Sequence, residues 1–122
     1  MAHELHHEPV PECAGHPHEP NAPLELPSPE NTVRAAAIFR ALGDVSRLNL
    51  LCLLAQREMC VTELTEQLQD NLPAISQRLK LLRADRIVVA RRQGKHIYYS
   101  LADNHISQLI ANGLAHGAEH DH

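Results

Sequence analysis

The sequence predicts a mainly α-helical domain with one small β-hairpin near its C-terminal end. Three observations predict it. Apolar residues recur at helical spacing through most of residues 29–84 and again after residue 103, and the runs open on capping residues. β-forming residues concentrate in two short runs, residues 87–90 and 97–101, parted by a segment holding the turn glycine Gly94. The first 28 residues follow neither pattern, with six of the eight prolines, five of the ten histidines and few large apolar groups. They cannot bury enough surface to fold alone, so a disordered, acidic His/Pro-rich tail is expected ahead of one folded domain, residues 29–122.

Taken in order, Ser28-Pro29 is a helix-start signal, because proline is tolerated in a first turn. That first helix runs to Leu42, stops at Gly43, and half-buries Val33, Ala37, Ile38 and Leu42. Its alanine-rich face suits close packing on another helix, for which a dimer partner is one candidate. Asp44 caps a second helix over residues 45–56, with Leu48, Leu51, Leu53 and Leu54 as core. Cys52 lies in this apolar run and reads as a small buried hydrophobe. Thr62 is expected to cap a short third helix whose first turn carries Glu63 and Glu66.

A polar break, Gln69-Asp70-Asn71, precedes a fourth helix over residues 72–84 with Ile75, Leu79 and Leu82 as its inner stripe. Two short helices joined by a tight break outline a helix-turn-helix. Ser76, Gln77, Arg78, Lys80 and Arg83 occupy much of the rest of the fourth helix. Gln and Arg match adenine and guanine edges, and Ser and Lys suit phosphate. The hairpin that follows is expected to carry Arg91, Arg92 and Lys95 at its tip. Placed directly after a recognition helix, it is a wing.

Charge supports a double-stranded DNA partner once it is read locally. The net charge of -4 averages two unlike regions: residues 1–30 hold six glutamates and no Lys or Arg, and residues 31–122 hold 11 basic against 9 acidic side chains. Seven of those eleven fall between residues 78 and 95, where Asp85 alone opposes them. A phosphate backbone attracts such a face.

The tail from Asp103 to Glu119 carries a second kind of chemistry. Ile106, Leu109, Ile110 and Leu114 recur at helical spacing, and Asp103 or Asn104 can cap the start. His105 and His116 stand eleven residues apart, so both imidazoles leave one side of the helix. Asp103 precedes the first, and Glu119 lies three residues beyond the second. The two pairs lie roughly 16 Å apart along the axis, far beyond zinc–ligand bonds of about 2.0–2.2 Å. Two antiparallel copies would bring the Asp103/His105 end of one helix to the His116/Glu119 end of the other, making two equivalent sites in a two-fold dimer.

Other classes are weakly supported. The three cysteines at unrelated spacings do not make a disulfide framework, and no apolar run approaches a membrane span. No secretory leader is recognisable, so a cytoplasmic protein with no membrane partner is expected. An enzyme is not expected. His116-Gly117-Ala118-Glu119-His120 resembles a metallopeptidase pattern in form, but no downstream segment supplies a third ligand. There is no phosphate-binding glycine loop and no paired nucleophile and base, so no small organic substrate is expected.

The order of elements resembles the ArsR/SmtB family of winged-helix metal-sensing repressors. The residues carrying the resemblance are Ala41-Leu42-Gly43-Asp44-Val45-Ser46-Arg47-Leu48, Cys60-Val61-Thr62-Glu63-Leu64 and Ala74-Ile75-Ser76-Gln77-Arg78-Leu79-Lys80-Leu81-Leu82-Arg83, then Gly94-Lys95-His96-Ile97-Tyr98-Tyr99-Ser100-Leu101 and Asp103-x-His105. The family implies a homodimer that binds operator DNA without metal and releases it on binding metal. Zinc-responsive members use Asp-x-His, ten residues, then His-x-x-Glu or His-x-x-His between their C-terminal helices, matched here by Asp103, His105, His116 and Glu119. Cobalt(II) often substitutes at such sites, and a mixed nitrogen/oxygen set suits zinc better than a soft metal.

The chain also departs from its relatives. The Cys-x-Cys of cadmium and lead sensors is reduced to Cys60 because Thr62 fills the second position. Cys13, His16, Cys60 and Glu63 are then candidates for a secondary site. The cysteine pair of arsenite sensors is absent from residues 44–52. Cys52 has no partner cysteine in residues 102–122, which weakens a thiol- or redox-responsive alternative. His3, His120 and His122 keep a nickel- or cobalt-sensing alternative open.

Overall fold

The computed structural model describes residues 22–119. In chain order these hold α1 (Pro29–Leu42), α2 (Val45–Gln56), β1 (Met59–Cys60), α3 (Val61–Leu68), α4 (Leu72–Ala84), β2 (Val88–Gln93), β3 (His96–Leu101) and α5 (Asn104–Ala118). Residues 22–28 form neither helix nor strand, and residues 1–21, with Cys13 and His16, lie outside the described residues.

The helix starts follow the capping chemistry. The Ser28 hydroxyl accepts from Asn31 N–H at 3.2 Å, Asp44 from Arg47 N–H at 3.0 Å, Asn71 from Ala74 N–H at 2.9 Å and Asp103 from Ile106 N–H at 3.2 Å. At the far end of α1, the Arg47 guanidinium donates to the carbonyls of Arg40 and Ala41 at 3.0 and 3.2 Å. Two carbonyls of the last turn thereby gain a donor, that of Arg40 in addition to Gly43 N–H at 3.2 Å. The third helix corrects the expected cap: α3 starts at Val61 with Cys60 in the capping position, and Thr62 lies inside the helix. The cause is Glu63, whose carboxylate reaches back to accept Cys60 N–H at 3.0 Å.

Leu50, Leu51, Leu64, Ile75, Leu79, Leu82, Ile87 and Val88 are fully enclosed, joined in the core by Ala41, Leu54, Met59, Ile106 and Ile110. Side chains of this size contribute about 1.5–3 kcal/mol each on full burial. In α2 the expected core was too narrow. Leu51 and Leu54 are buried, but so is Leu50, while Leu48, Leu53 and Cys52 pack half-buried on the rim. The reason is position: α2 touches α1, α3, α5 and β3, so it buries more than one stripe. By contrast Val33 and Phe39 of α1 are 68% and 59% exposed, and Leu114 of α5 is 50% exposed.

The hairpin is longer than its β-rich runs, with Gln93 paired to His96 across the two-residue turn Gly94-Lys95. Gly94 has φ 63° at the first central position, where a type II′ turn calls for glycine. Arg91 and Arg92 therefore lie within β2, and Lys95 alone of the three expected cations sits at the tip. Ile87, expected to open the strand, precedes it as a core residue whose carbonyl accepts Ala102 N–H at 2.9 Å. β1 was not expected at all. Met59 and Cys60 pair with Tyr99 and Tyr98, completing an antiparallel sheet of order β1-β3-β2 and covering the outer edge of β3.

Candidate nucleic-acid interface and metal half-sites

The inner stripe of α4 fixes which side chains are left outside. With Ile75, Leu79 and Leu82 buried, Ser76, Gln77, Lys80 and Arg83 are exposed. Ser76, Lys80 and Arg83 follow the spacing i, i+4, i+7 and share one face. Together with Ala84 and Tyr99 of β3 they line a single concavity between the helix and the hairpin. Tyr99 was not among the residues expected there. Its signal was strand alternation, since neighbouring Tyr98 and Tyr99 must point to opposite faces of the sheet.

Two cations that sequence reading gave to this surface have partners within the chain. Arg78 Nη1 donates to Asp70 Oδ2 at 2.9 Å, across the turn between α3 and α4. That contact, with the Asn71 N–H, holds the Asp70 carboxyl below its ordinary range. Arg91 engages Glu58: its Nε donates to both carboxylate oxygens at 3.0 and 3.1 Å and its Nη2 to Oε1. Arg91 also lies 5.1 Å from the Tyr98 ring centre, and its Nη1 donates to Gln93 Oε1 at 2.7 Å. Arg91 pairs with Tyr98 in the sheet register and so stands on the face opposite Tyr99. Arg92, paired with Ile97, stands on the Tyr99 face, and Lys95 is exposed at the turn.

At the start of α5, Asp103 Oδ1 caps the helix and lies 3.7 Å from His105 Nδ1. At its end, His116 Nδ1 is 3.9 Å from Glu119 Oε1. The His105 and His116 side chains are 89% and 77% exposed. Each pair offers one imidazole and one carboxylate at a spacing that suits a shared ion, yet among the described residues no three His, Cys, Asp or Glu come together. The donor types fit zinc or cobalt, and each couple offers two of the four ligands such an ion takes.

The secondary cluster is brought together only in part. Cys60 and Glu63 are adjacent, but Glu63 is engaged by Cys60 N–H and by Arg57 at 3.2 Å, which hold its carboxyl below the ordinary range. Its other candidates, Cys13 and His16, fall outside the described residues, as do His3, His120 and His122. Cys52 is half-buried, and desolvation raises its thiol pKa, which lowers its reactivity at neutral pH. No helix among the described residues is long and apolar enough to cross a membrane.

Comparisons with known proteins bear on the fold and the DNA-binding surface. Residues 44–89, spanning α2 to the start of β2, match the family model for bacterial regulatory proteins of the arsR family. The chain is 40% identical over 97 residues to a transcriptional repressor SmtB homolog of Synechocystis, covering 80% of this chain and 74% of that protein. The homodimeric winged helix-turn-helix DNA-binding domain of a Mycobacterium bovis protein superposes with TM-score 0.70 at 31% identity, over 77% of this chain and 90% of that one. The antimony-specific transcriptional repressor AntR superposes with TM-score 0.71 at 28% identity, over 80% and 89%.

Proposed function

The chain belongs to the arsR family of bacterial regulatory proteins, and on that premise we propose that it is a metal-responsive transcriptional repressor. It binds operator DNA as a homodimer and leaves it when zinc, or cobalt in its place, binds between the two C-terminal helices. Metal efflux or sequestration genes are the expected targets. The observation that carries the metal assignment is the pair of exposed imidazole–carboxylate couples at opposite ends of α5.

Several features support the reading. The groove formed by Phe39, Leu42, Leu48, Leu109, Gly113 and Leu114 offers a second copy an apolar seat on α1, α2 and α5. With two copies docked there, the two α4 helices can enter successive major grooves of a palindromic site. Ser76, Gln77, Lys80 and Arg83 then face the bases and phosphates, with Arg92 and Lys95 beside them on the wing, and Arg78, paired with Asp70, joins them on releasing that carboxylate. Asp103 and His105 of one protomer would hold the metal together with the partner subunit's His116 and the partner subunit's Glu119. When bound, the ion supplies a cross-link between the two α5 helices. Linkage requires DNA to weaken metal binding by the factor by which metal weakens DNA binding.

The test is fluorescence anisotropy of chelator-treated protein on the DNA upstream of its own gene, with zinc, cobalt or nickel added stepwise. Release at about one zinc per protomer is expected. Tight DNA binding that ignores all three metals would remove the sensor from this reading.

A further inference from the structure

The Glu58–Arg91 contact joins two parts of the fold that are remote in sequence. Glu58 sits between α2 and β1, and Arg91 lies in the middle of β2, 33 residues later. Around Arg91 most donors are taken: its single Nε–H is shared by both Glu58 oxygens, one Nη2–H reaches Glu58, one Nη1–H reaches Gln93, and Tyr98 lies beneath the guanidinium. A planar fork held this way by carboxylate and ring has few donors left for another ligand. It also stands on the sheet face opposite Tyr99, the residue that shares a concavity with Ser76, Lys80 and Arg83. Arg92 and Lys95 have no such carboxylate among the described residues.

We propose that Arg91 is a positioning residue of the wing and not a phosphate ligand: with Glu58 it pins the hairpin to the junction of α2 and β1, and so aims Arg92 and Lys95 at DNA. The inference rests on the DNA-binding reading above and replaces one of the contacts assigned from the sequence. Its physical basis is that β2 is an edge strand, hydrogen-bonded only to β3, whose outer half has little core beneath it. A bidentate ion pair reaching past β3 to the Glu58 junction removes a swing of the hairpin that the ladder alone permits. The lowered pKa of Glu58, caused first by its hydrogen bonds from Arg91, agrees with a formed pair.

Salt dependence separates positioning from phosphate contact, because each phosphate ligand contributes about one unit to the slope of log K against log salt. The experiment measures anisotropy of full-length wild type, Arg91→Ala, Glu58→Gln and the Glu58→Arg/Arg91→Glu double variant on the upstream duplex at several salt concentrations. Thermal unfolding confirms that each is folded. Positioning predicts roughly 2–5-fold weaker binding for both single variants, an unchanged salt slope, and partial recovery in the double variant. A slope lower by about one in Arg91→Ala, or tighter binding in Glu58→Gln as a freed cation reaches DNA, overturns the proposal. Wild type that fails to bind any DNA would instead overturn the DNA-binding reading, and this inference with it.

Discussion

If each metal site is completed across two antiparallel α5 helices, two defective proteins should repair each other. His105→Ala removes a ligand from the start of α5 and His116→Ala one from its end. Both side chains are largely exposed, at 89% and 77%, so each replacement should change stability by no more than about 0.5 kcal/mol. Either homodimer keeps three of four ligands at both sites. Its zinc affinity should fall by at least the roughly 10–100-fold seen when only a ligand's outer partner is disturbed. In a mixed dimer the two losses coincide at one site, and the other site recovers all four ligands. Random exchange makes about half of the dimers mixed, so about one quarter of the wild-type tight-binding capacity should return on mixing.

The assay is a zinc titration against a competing chelator, made on each variant and on the equilibrated mixture. Native mass spectrometry of the same mixture establishes that mixed dimers have formed. A site within one chain predicts no recovery, and so does a parallel arrangement of α5 helices, in which every mixed site lacks one imidazole. Mixed dimers without recovered tight binding would therefore refute the antiparallel site, whatever the single variants do to DNA release.

Four further outcomes follow from particular residues. Arg78→Ala should weaken operator binding without altering zinc stoichiometry, and unchanged DNA affinity in anisotropy would remove Arg78 from the interface. Leu79→Ala, at a position 1% exposed, should cost about 2–5 kcal/mol in denaturant unfolding, and a loss under about 1 kcal/mol would mean that α4 repacks freely. Gln69 holds φ 54° at the end of α3, so Gln69→Gly should raise stability by about 1 kcal/mol, and a lower Tm would refute the strain argument. Glu58, Glu63 and Asp70 all have folded-state pKa values lowered by hydrogen bonds, from Arg91, Cys60 N–H and Arg78 respectively. The unfolded chain binds protons more readily, so their contribution is complete above about pH 5 and disappears as pH falls through the lowered values. A stability profile that stays flat from pH 6 to pH 3 would contradict those pairs.

What could be read from the sequence was what a few neighbouring residues decide. Ser28 and Asp44 were legible as helix starts because a cap needs only its own first turn, and the structure settles Asp103 over Asn104 and adds Asn71 at the polar break. The inner stripe of α4 was readable for the same reason. The missed start of α3 fits this logic, since Thr62 is the stronger capping residue type and the earlier start is favoured by the Glu63 bond to Cys60 N–H. β1 left no local trace, because two residues carry no alternation and the strand exists only by pairing with β3. Glu58 and Asp70 were invisible as partners of Arg91 and Arg78, so a charge count overstated the free cations of the basic face.

The proposed metal half-sites are of another kind, a long-range arrangement inferred from local spacing. In α5 the core holds Ile106 and Ile110, whereas residues 111–119 are all exposed. The first half of the helix is thus anchored in its own protomer, and the second half, with His116 and Glu119, projects beyond it. Leu114 on that half and Phe39 of α1 are both exposed and line one apolar groove, the kind of contiguous patch that marks an interaction surface. A second copy seated in the groove of Phe39, Leu42 and Leu109 would cover it and would set the projecting imidazole near the partner's anchored one. Under the proposed function the hydrophobic pattern and the ligand spacing make the same demand on one helix, that its second half be completed by another chain.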